Sequence, residues 1–320
     1  MDFTVIIPSR NRPTLLRKAI DSVLMQTHSN TEVIVVNDGS DGENESAYAT
    51  LANELVGRVR FLNLEKAKNG HGQSGSINCG AEIARGQYLC FLDDDDYWTD
   101  PGHLKRAHQC LQHSNETIDI YFSNQLAFLN DTPVLGPIWL EPLEDILNTA
   151  QPDETGAYPV SIRDLMQCSG FGHLNTMIVS SALYAHIKGM DENIRYECDL
   201  DFYLRTIDAS NGMRYYPGVV SRHNAPDQKK ALNMSTVVSF SQKMLFRAYV
   251  WDKAFLFSQS PIIRSAAAKG KSYALKRIAQ SLATEQQFKQ SFYYARQALA
   301  TGFNPKWLAY CSYLGFRALF

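Results

Sequence analysis

The sequence predicts an α/β protein with a mostly parallel central sheet, followed by a C-terminal appendage that is helical only. Two observations carry that expectation. Through the first half of the chain, short β-branched runs alternate with amphipathic helical patterns, the rhythm of strands joined by helices across one sheet. Beyond Asp227 only helical periodicity remains. The expected division is a domain over 1–228 and a helical region over 229–320. A chain of 320 residues, 45% hydrophobic and 20% charged, is long enough to bury a sizeable core.

Residues 4–7 form the first expected strand. Pro13 suits the first turn of the helix that follows, where a missing N–H costs nothing, and Leu15, Leu16, Ala19, Ile20, Val23 and Leu24 fall on one broad face. A strand over 32–36 ends at Asn37-Asp38-Gly39-Ser40. A helix near 46–55, a strand over 59–62 and a helix near 74–85 keep the rhythm. Gly86 closes that helix, and a buried strand over 88–92 stops at four consecutive aspartates. A helix to about 113 and a strand over 118–123 come next. The stretch 130–158 is rich in Pro, Asp and Glu and reads as a long irregular excursion. A strand over 175–179, a helix over 199–209 and a strand over 213–220 complete the domain.

Composition excludes several classes. A net charge of -2 leaves no overall footprint for nucleic acid. The six cysteines, Cys79, Cys90, Cys110, Cys168, Cys198 and Cys311, include no CxxC pair, so neither a zinc site nor a disulfide framework is expected. Residues 1–8 carry no basic stretch leading into an apolar run, and no segment reaches the roughly 18 to 20 uninterrupted apolar residues of a membrane span. A cytoplasmic protein is the expectation.

The chemistry concentrates at Phe91-Leu92-Asp93-Asp94-Asp95-Asp96-Tyr97-Trp98. An apolar strand that delivers carboxylates at its carboxyl end does so where open α/β sheets bind ligands, and clustered like charges call for a cation. Hard oxygen donors suit Mn²⁺ or Mg²⁺. An acidic turn that caps the next helix is the alternative reading of this run alone.

Three further segments accompany it: Val5-Ile6-Ile7-Pro8-Ser9-Arg10-Asn11-Arg12-Pro13, Val33-Ile34-Val35-Val36-Asn37-Asp38-Gly39-Ser40, and Asn69-Gly70 with Asn78-Cys79-Gly80. In this order and spacing they resemble the signature of bacterial-type family 2 glycosyltransferases with the GT-A fold, across roughly residues 3 to 224. The resemblance implies an enzyme that transfers a sugar, with inversion, from a nucleotide-sugar donor, a UDP-sugar above all, to a glycan or lipid-linked glycan in cell-surface polysaccharide assembly. It implies that Pro8, Ser9 and Arg10 line the nucleobase and ribose, and that Asp38 accepts a hydrogen bond from the base. Position 10 is often aromatic in similar proteins, so base stacking would fall to the Arg10 guanidinium. Asp93, Asp94 and Asp95 match the DxD motif: Asp93 and Asp94 on the nucleotide side, Asp95 on the metal. Many relatives carry arginine where this chain has Ile77; Lys66 and Lys68 are the nearest substitutes for its charge.

The segment 190–205 resembles the acceptor side of the same family, with Asp199 aligned to the general base. One positioned carboxylate suffices to take the proton of an attacking hydroxyl. Asp199 and Asp201 would also favour a helix N-terminus through its dipole, a purely structural role. His223, directly after the last strand, is the further candidate metal ligand; the remaining histidines show no metal-ligand spacing.

Two other functions compete. A sugar-phosphate nucleotidyltransferase would place a Gly-rich basic loop after the first strand, where this chain has Ile7-Pro8-Ser9-Arg10-Asn11. A degenerate binder or scaffold would not need both the aspartates and Asp199. A dinucleotide-dependent oxidoreductase is disfavoured because no GxGxxG follows the first strand. The final segment, 307–320, is apolar and aromatic almost all round, with Lys306 and Arg317 the only nearby charges. It is expected to pack on the preceding helices or in a homo-oligomer. The alternative is peripheral attachment to the inner membrane face, which two charges would support only weakly and which should therefore resist moderate salt.

Overall fold

The computed structural model describes residues 1–113, 116–225 and 238–319. The chain divides into two compact units, Met1–Asp227 and Gln228–Phe320; the expected boundary at 228 lies outside the described residues.

The first unit opens with β1 (Phe3–Ser9), α1 (Pro13–Leu24), β2 (Thr31–Asn37), α2 (Gly42–Glu54), β3 (Arg60–Asn63), α3 (Gly72–Glu82) and β4 (Tyr88–Phe91). These strands pair in parallel in the order β3-β2-β1-β4, with Ile6 of β1 level with Ile34 on one side and Phe91 on the other. Helices cover both faces, so Phe3, Val5, Ile6 and Ile7 are all fully buried. That is why β1 reads as a continuous apolar run and not as an alternation. Gly80 on α3 allows close packing: a Cβ there would sit 2.7 Å from Ile6 Cγ2.

The apolar stripe of α1 is narrower than its sequence promised. Leu16, Ala19, Ile20 and Val23 are buried, but Leu15 is 46% exposed and Leu24 only half-buried. At about 100° per residue both lie a quarter-turn from the centre of the stripe.

The second half of the sheet comprises β5 (Tyr97–Trp98), α4 (His103–His113), β6 (Ile120–Leu129), β7 (Thr132–Pro133), α5 (Leu143–Ile146), β8 (Tyr158–Pro159), α6 (Ile162–Leu165), β9 (Met177–Ser180), α7 (Ser181–His186), α8 (Cys198–Ala209) and β10 (Met213–Asn224). The order continues β4-β9-β6-β10-β5, with β9 antiparallel to both β4 and β6, and β10 parallel to β6. β10 shifts register between Tyr215 and Ser221, then runs on to Asn224. Those irregularities carry its last residues beside the end of β4, four residues beyond the expected strand. β5, the two-residue strand after the aspartates, pairs with β10 at Ser221 and Arg222 and had no signal in the sequence pattern.

The second unit contains α9 (Phe240–Phe257), α10 (Pro261–Thr284), α11 (Phe288–Thr301) and α12 (Pro305–Arg317). Ser239, Ser260 and Asn304 cap three of these helices through side-chain oxygens, which satisfies N–H groups that would otherwise lack partners. Its core is small-residue rich: Ala248, Ala274, Ala279, Ala295 and Ala298 pack with Leu275, Ile278, Trp307 and Leu314.

Candidate active site

At the carboxyl end of β4 the Leu92 N–H still donates to Ile6 O (3.1 Å), and a tight turn follows in which the Asp96 N–H donates to Asp93 O (3.1 Å). The turn sorts the four carboxylates. Asp93, Asp95 and Asp96 bring ligand oxygens within 4.8 Å of one another. Asp94 points the other way, into the wall formed by β1 and α2.

Asp94 is 1% exposed; it accepts from the Ser9 hydroxyl and pairs with Arg12 Nη2 at 2.6 Å. Ser9, 4% exposed, also shares a short hydrogen bond with the Tyr48 hydroxyl. The sequence reading set Ser9 and Asp94 against the nucleotide. Their side chains bond to each other, as a buried carboxylate needs partners more than a solvated one does. Arg12 Nη1 reaches Asp95 at 2.7 Å, so one guanidinium bridges two aspartates.

Asp96 is the best-partnered of the four. It accepts from Asn175 Nδ2 (2.6 Å), His223 Nδ1 (2.7 Å) and the Asn224 N–H (2.6 Å). Asn175 also accepts from the Asp93 N–H through Oδ1 at 3.0 Å. His223 thus sits at the cluster, with Nδ1 committed to a carboxylate; metal-bound histidines typically carry such a partner on the other ring nitrogen. Trp139, from the long excursion, packs edge-on against His173 and His223, at centroid distances of 5.8 and 5.4 Å. His173 Nε2 lies 4.0 Å from Asp93 Oδ2.

Electrostatics follow from this crowding. Burial first, then Asp96 and Asp95, hold the Asp93 carboxyl well above the usual carboxylate range. Burial pushes Asp94 up to about 7 although Arg12 opposes it, and burial raises Asp95 against the same opposition. Burial would lower His223, but its bond to Asp96 prevails and raises it. Burial and His223 hold His173 down at about 3. Asp93 and Asp95, both raised and crowded together with Asp96, offer a donor set that a divalent cation stabilises.

On the neighbouring strand end, Asp38 is buried, and both its oxygens organise the 70–72 turn. Oδ1 accepts from the His71 N–H and lies 2.7 Å from His71 Nδ1, while Oδ2 accepts from the Gly72 N–H at 3.0 Å. Gly70 has φ +64°, and a Cβ there would meet Asp38 Oδ2 at 2.4 Å and Arg10 Nη1 at 2.9 Å. Only glycine lets that turn close over Asp38 and Arg10. Arg10 donates to Ala67 O at 3.3 Å, and Pro8 is half-buried at the end of β1. Lys66 pairs with Glu45 at the surface.

Asp199 lies in the first turn of α8, half-buried. The chain enters that helix through Glu197 in a left-handed conformation, φ +63°, a strain that functional segments often hold. Cys198 Sγ is 3.4 Å from Gln73 Oε1, and Gln73 Nε2 donates to Asp93 Oδ1 at 2.6 Å, which ties the turn that bears Asp199 to the aspartates. Asp201 is buried and bound by Arg205 Nε at 2.8 Å.

Of the residues expected from the sequence, Asp93 and Asp95 lie in the cluster and His223 lies against it; Asp96, Arg12, Gln73, Trp139, His173 and Asn175, for which no role was expected, lie in or around it as well. Arg12 and Asp96 stood inside the quoted motifs; the others carry no local signal. Asp2, His28 and His108 form a second group with ligand atoms within 4.8 Å of one another, at the amino-terminal end of β1, which the histidine spacings did not reveal.

Residues 4–158 match the family model of Glycosyl transferase family 2. An uncharacterized glycosyltransferase of Rickettsia prowazekii is 28% identical over 212 residues, 65% of this chain and 59% of its own length, so the chain spans less than two thirds of that relative. S. aureus TarS 1–349, solved in complex with UDP-GlcNAc, superposes with a TM-score of 0.68 at 16% identity, covering 94% of this chain and 81% of that one. The mannosyltransferase PcManGT from Pyrobaculum calidifontis, solved with GDP-Man and Mn²⁺, gives a TM-score of 0.60 at 16% identity, covering 99% of this chain and 86% of that one. At such identity the two structures share the fold alone. Residues 4–158, just under half of the chain, are thus similar to glycosyl transferase family 2, and the α/β sheet has the GT-A fold shared with the two solved glycosyltransferases.

Proposed function

We propose that this protein is an inverting, metal-dependent glycosyltransferase that moves a sugar from a nucleoside diphosphate sugar to a hydroxyl of a glycan or lipid-linked glycan. The observation that carries the reading is the convergence of Asp93, Asp95 and Asp96 at the end of β4, linked through Gln73 and Cys198 to the turn that holds Asp199. Three carboxylates offer hard oxygen donors, which fit Mn²⁺ or Mg²⁺ and not a thiophilic metal.

Asp95 and Asp93 would hold the cation, with His223 completing or orienting the set and Asp96 fixing His223. Held there, a divalent cation would supply positive charge against the departing nucleoside diphosphate. Pro8, Arg10 and Asp38 form the nucleoside side, while Ser9 and Asp94 act as positioning residues through Arg12. Asp199 takes the proton of the acceptor hydroxyl as its oxygen bonds to the anomeric carbon, and the bond to the diphosphate breaks on the opposite face. One carboxylate and one displacement give inversion. TarS with UDP-GlcNAc and the mannosyltransferase with GDP-Man support a nucleoside diphosphate sugar as donor class; a UDP-sugar on the cytoplasmic side is the specific reading we propose.

The test is a panel of nucleotide sugars incubated with Mn²⁺, with products resolved. Release of nucleoside diphosphate and free or transferred sugar is expected. Pyrophosphate release would instead reveal nucleotidyl transfer, and tight donor binding without turnover of any donor or acceptor would reveal a binder.

A further inference from the structure

The near-zero net charge conceals a strong polarity. Residues 228–320 contain 14 Lys and Arg against 2 Asp and Glu, a net +12, whereas residues 1–227 contain 17 against 31, a net -14. Of the two acids in the helical unit, Asp252 is already paired with Lys271 at 2.6 Å. So steep an asymmetry within one chain points to a polyanionic partner for the basic part.

The basic residues alternate with exposed aromatic rings at helical spacing. On α10, Lys269, Tyr273 and Arg277 recur every four residues; on α11, Lys289, Tyr293 and Arg296 recur at four and three. All six side chains are exposed, the two tyrosines by 56% and 60%. On α12, Lys306, Tyr313 and Arg317 follow at seven and four. Large apolar side chains are also exposed: Leu256 and Phe257 at the end of α9 by 67% and 72%, and Phe316 and Leu319 near the end of α12 by 61% and 79%. Inside the unit, by contrast, five of the eleven clustered core residues are alanine. Large apolar side chains thus remain exposed on a unit whose core is partly filled by small ones, a surface that marks a contact site.

We propose that the helical unit docks on an anionic lipid bilayer, with its lysines and arginines at the headgroup phosphates and the exposed aromatic and aliphatic side chains inserted just below. Rings flanked by basic residues are the side chains that favour such an interface, and polybasic surfaces gain attraction from acidic lipids. Among the described residues no helix is long and apolar enough to cross a membrane, so the contact is peripheral. A nucleic acid would satisfy the charge but not Leu256 or Leu319, which offer nothing to a base or a phosphate. A second copy of the same unit would bring a like charge against it. The inference stands apart from the proposed sugar transfer, since it uses no residue of the aspartate site.

It also reverses an expectation drawn from residues 307–320 alone. Those residues carry too little charge to make salt matter, whereas a unit of +12 makes it decisive: the screening length falls from ~10 Å at 0.1 M salt to ~3 Å at 1 M.

The experiment is co-sedimentation of the full chain with vesicles of phosphatidylcholine alone or with about a third phosphatidylglycerol, at low and high salt. Binding is expected only with the anionic lipid, weakening at least tenfold as salt rises. The triple variant Lys269→Glu, Lys289→Glu, Lys306→Glu halves the unit's net charge at exposed positions and should weaken binding at least tenfold. Its far-ultraviolet circular dichroism and its nucleotide binding should stay unchanged, which separates a lost surface from a lost fold. Leu256→Ser with Leu319→Ser should leave the salt dependence but lower affinity several-fold. Equal binding to neutral vesicles, no binding at low salt, unaltered binding of the triple variant, preferential binding of single-stranded RNA over vesicles, or salt-sensitive self-association in place of lipid binding would each overturn the proposal.

Discussion

Arg12 Nη1 lies 2.7 Å from Asp95 Oδ2, and the same guanidinium holds Asp94 through Nη2 at 2.6 Å. Asp95 therefore has a cationic partner whether or not a metal ion is present. Asp94 has nowhere else to turn: it is buried, and its second oxygen is taken by Ser9. Arg12 links the wall beneath the site to the carboxylate at its mouth, and a cation arriving at Asp95 competes with it.

Arg12→Met keeps the stem of the side chain and removes the charge. Breaking a buried pair from one side typically costs ~3 to 5 kcal/mol. Arg12 is about a third exposed, so a loss near ~3 kcal/mol in chelator is expected. Saturating Mn²⁺ should recover part of it by supplying positive charge at Asp95. Denaturant midpoints with and without metal measure both terms. An identical loss in the two conditions would mean that Arg12 and the cation do not share Asp95.

Asp95→Ala removes the carboxylate that Arg12 holds and that the proposed cation would share. Turnover is expected to fall by about three powers of ten or more, the scale of losing a principal electrostatic contact in a transition state. Metal-dependent enhancement of nucleoside diphosphate binding should vanish with it, while metal-independent binding persists. Calorimetry with and without Mn²⁺ separates the two, and full activity of the variant, or of the wild type in excess chelator, would contradict the assignment of the metal to Asp95.

The run Phe91 to Asp96 was legible in the sequence as an apolar strand meeting carboxylates, and the β1 and β2 ends were legible for the same reason: continuous β-branched runs stopped by polar residues. What the sequence could not convey was direction. Consecutive residues in a turn do not alternate as strand residues do, so nothing local said that Asp94 would face inward while Asp93, Asp95 and Asp96 converged. Gln73, Asn175 and Trp139 were illegible for another reason. They reach the site from α3, from the turn before β9 and from an irregular excursion, and their relevance is created by the sheet order that brings those segments together. The register shifts of β10, which deliver His223 and Asn224 to Asp96, are likewise a product of pairing with β6 and not of any pattern within residues 213–224.

Asp199→Asn preserves size and hydrogen-bonding shape while removing basicity. Turnover should drop by about two to four powers of ten, the range for loss of a general base, with donor affinity near normal. Glu197 enters α8 with a positive φ, so a variant that merely disturbed the helix start would lower stability and donor binding together. A thermal midpoint and a donor Kd measured beside kcat distinguish the two.

His103 supplies a pH prediction remote from the metal candidates. It is fully buried at the start of α4, edge-on to Trp98 at a centroid distance of 5.0 Å. Neither ring nitrogen has a hydrogen-bond partner among the described residues. Burial, reinforced by Arg106 and resisted by Asp100, lowers it from 6.5 to about 3. The unfolded chain therefore takes up a proton as pH falls through 6.5, while the folded chain refuses it until near 3. Stability contributed by the neutral ring is complete above 6.5 and is lost progressively below. His103→Leu removes that liability together with the unpartnered polar atoms, each of which costs ~1 to 3 kcal/mol. The variant should be at least as stable as the wild type at pH 7, and its advantage should widen as pH is lowered to 5. The comparison between the two proteins matters more than either curve. Asp93, Asp94 and Asp95 have raised values and push wild-type stability in the opposite direction over the same range, but they cancel in the difference. Urea midpoints at pH 7, 6 and 5 provide the measurement. A constant difference would mean that His103 reaches a proton acceptor in the folded state and titrates there as it does in the unfolded chain.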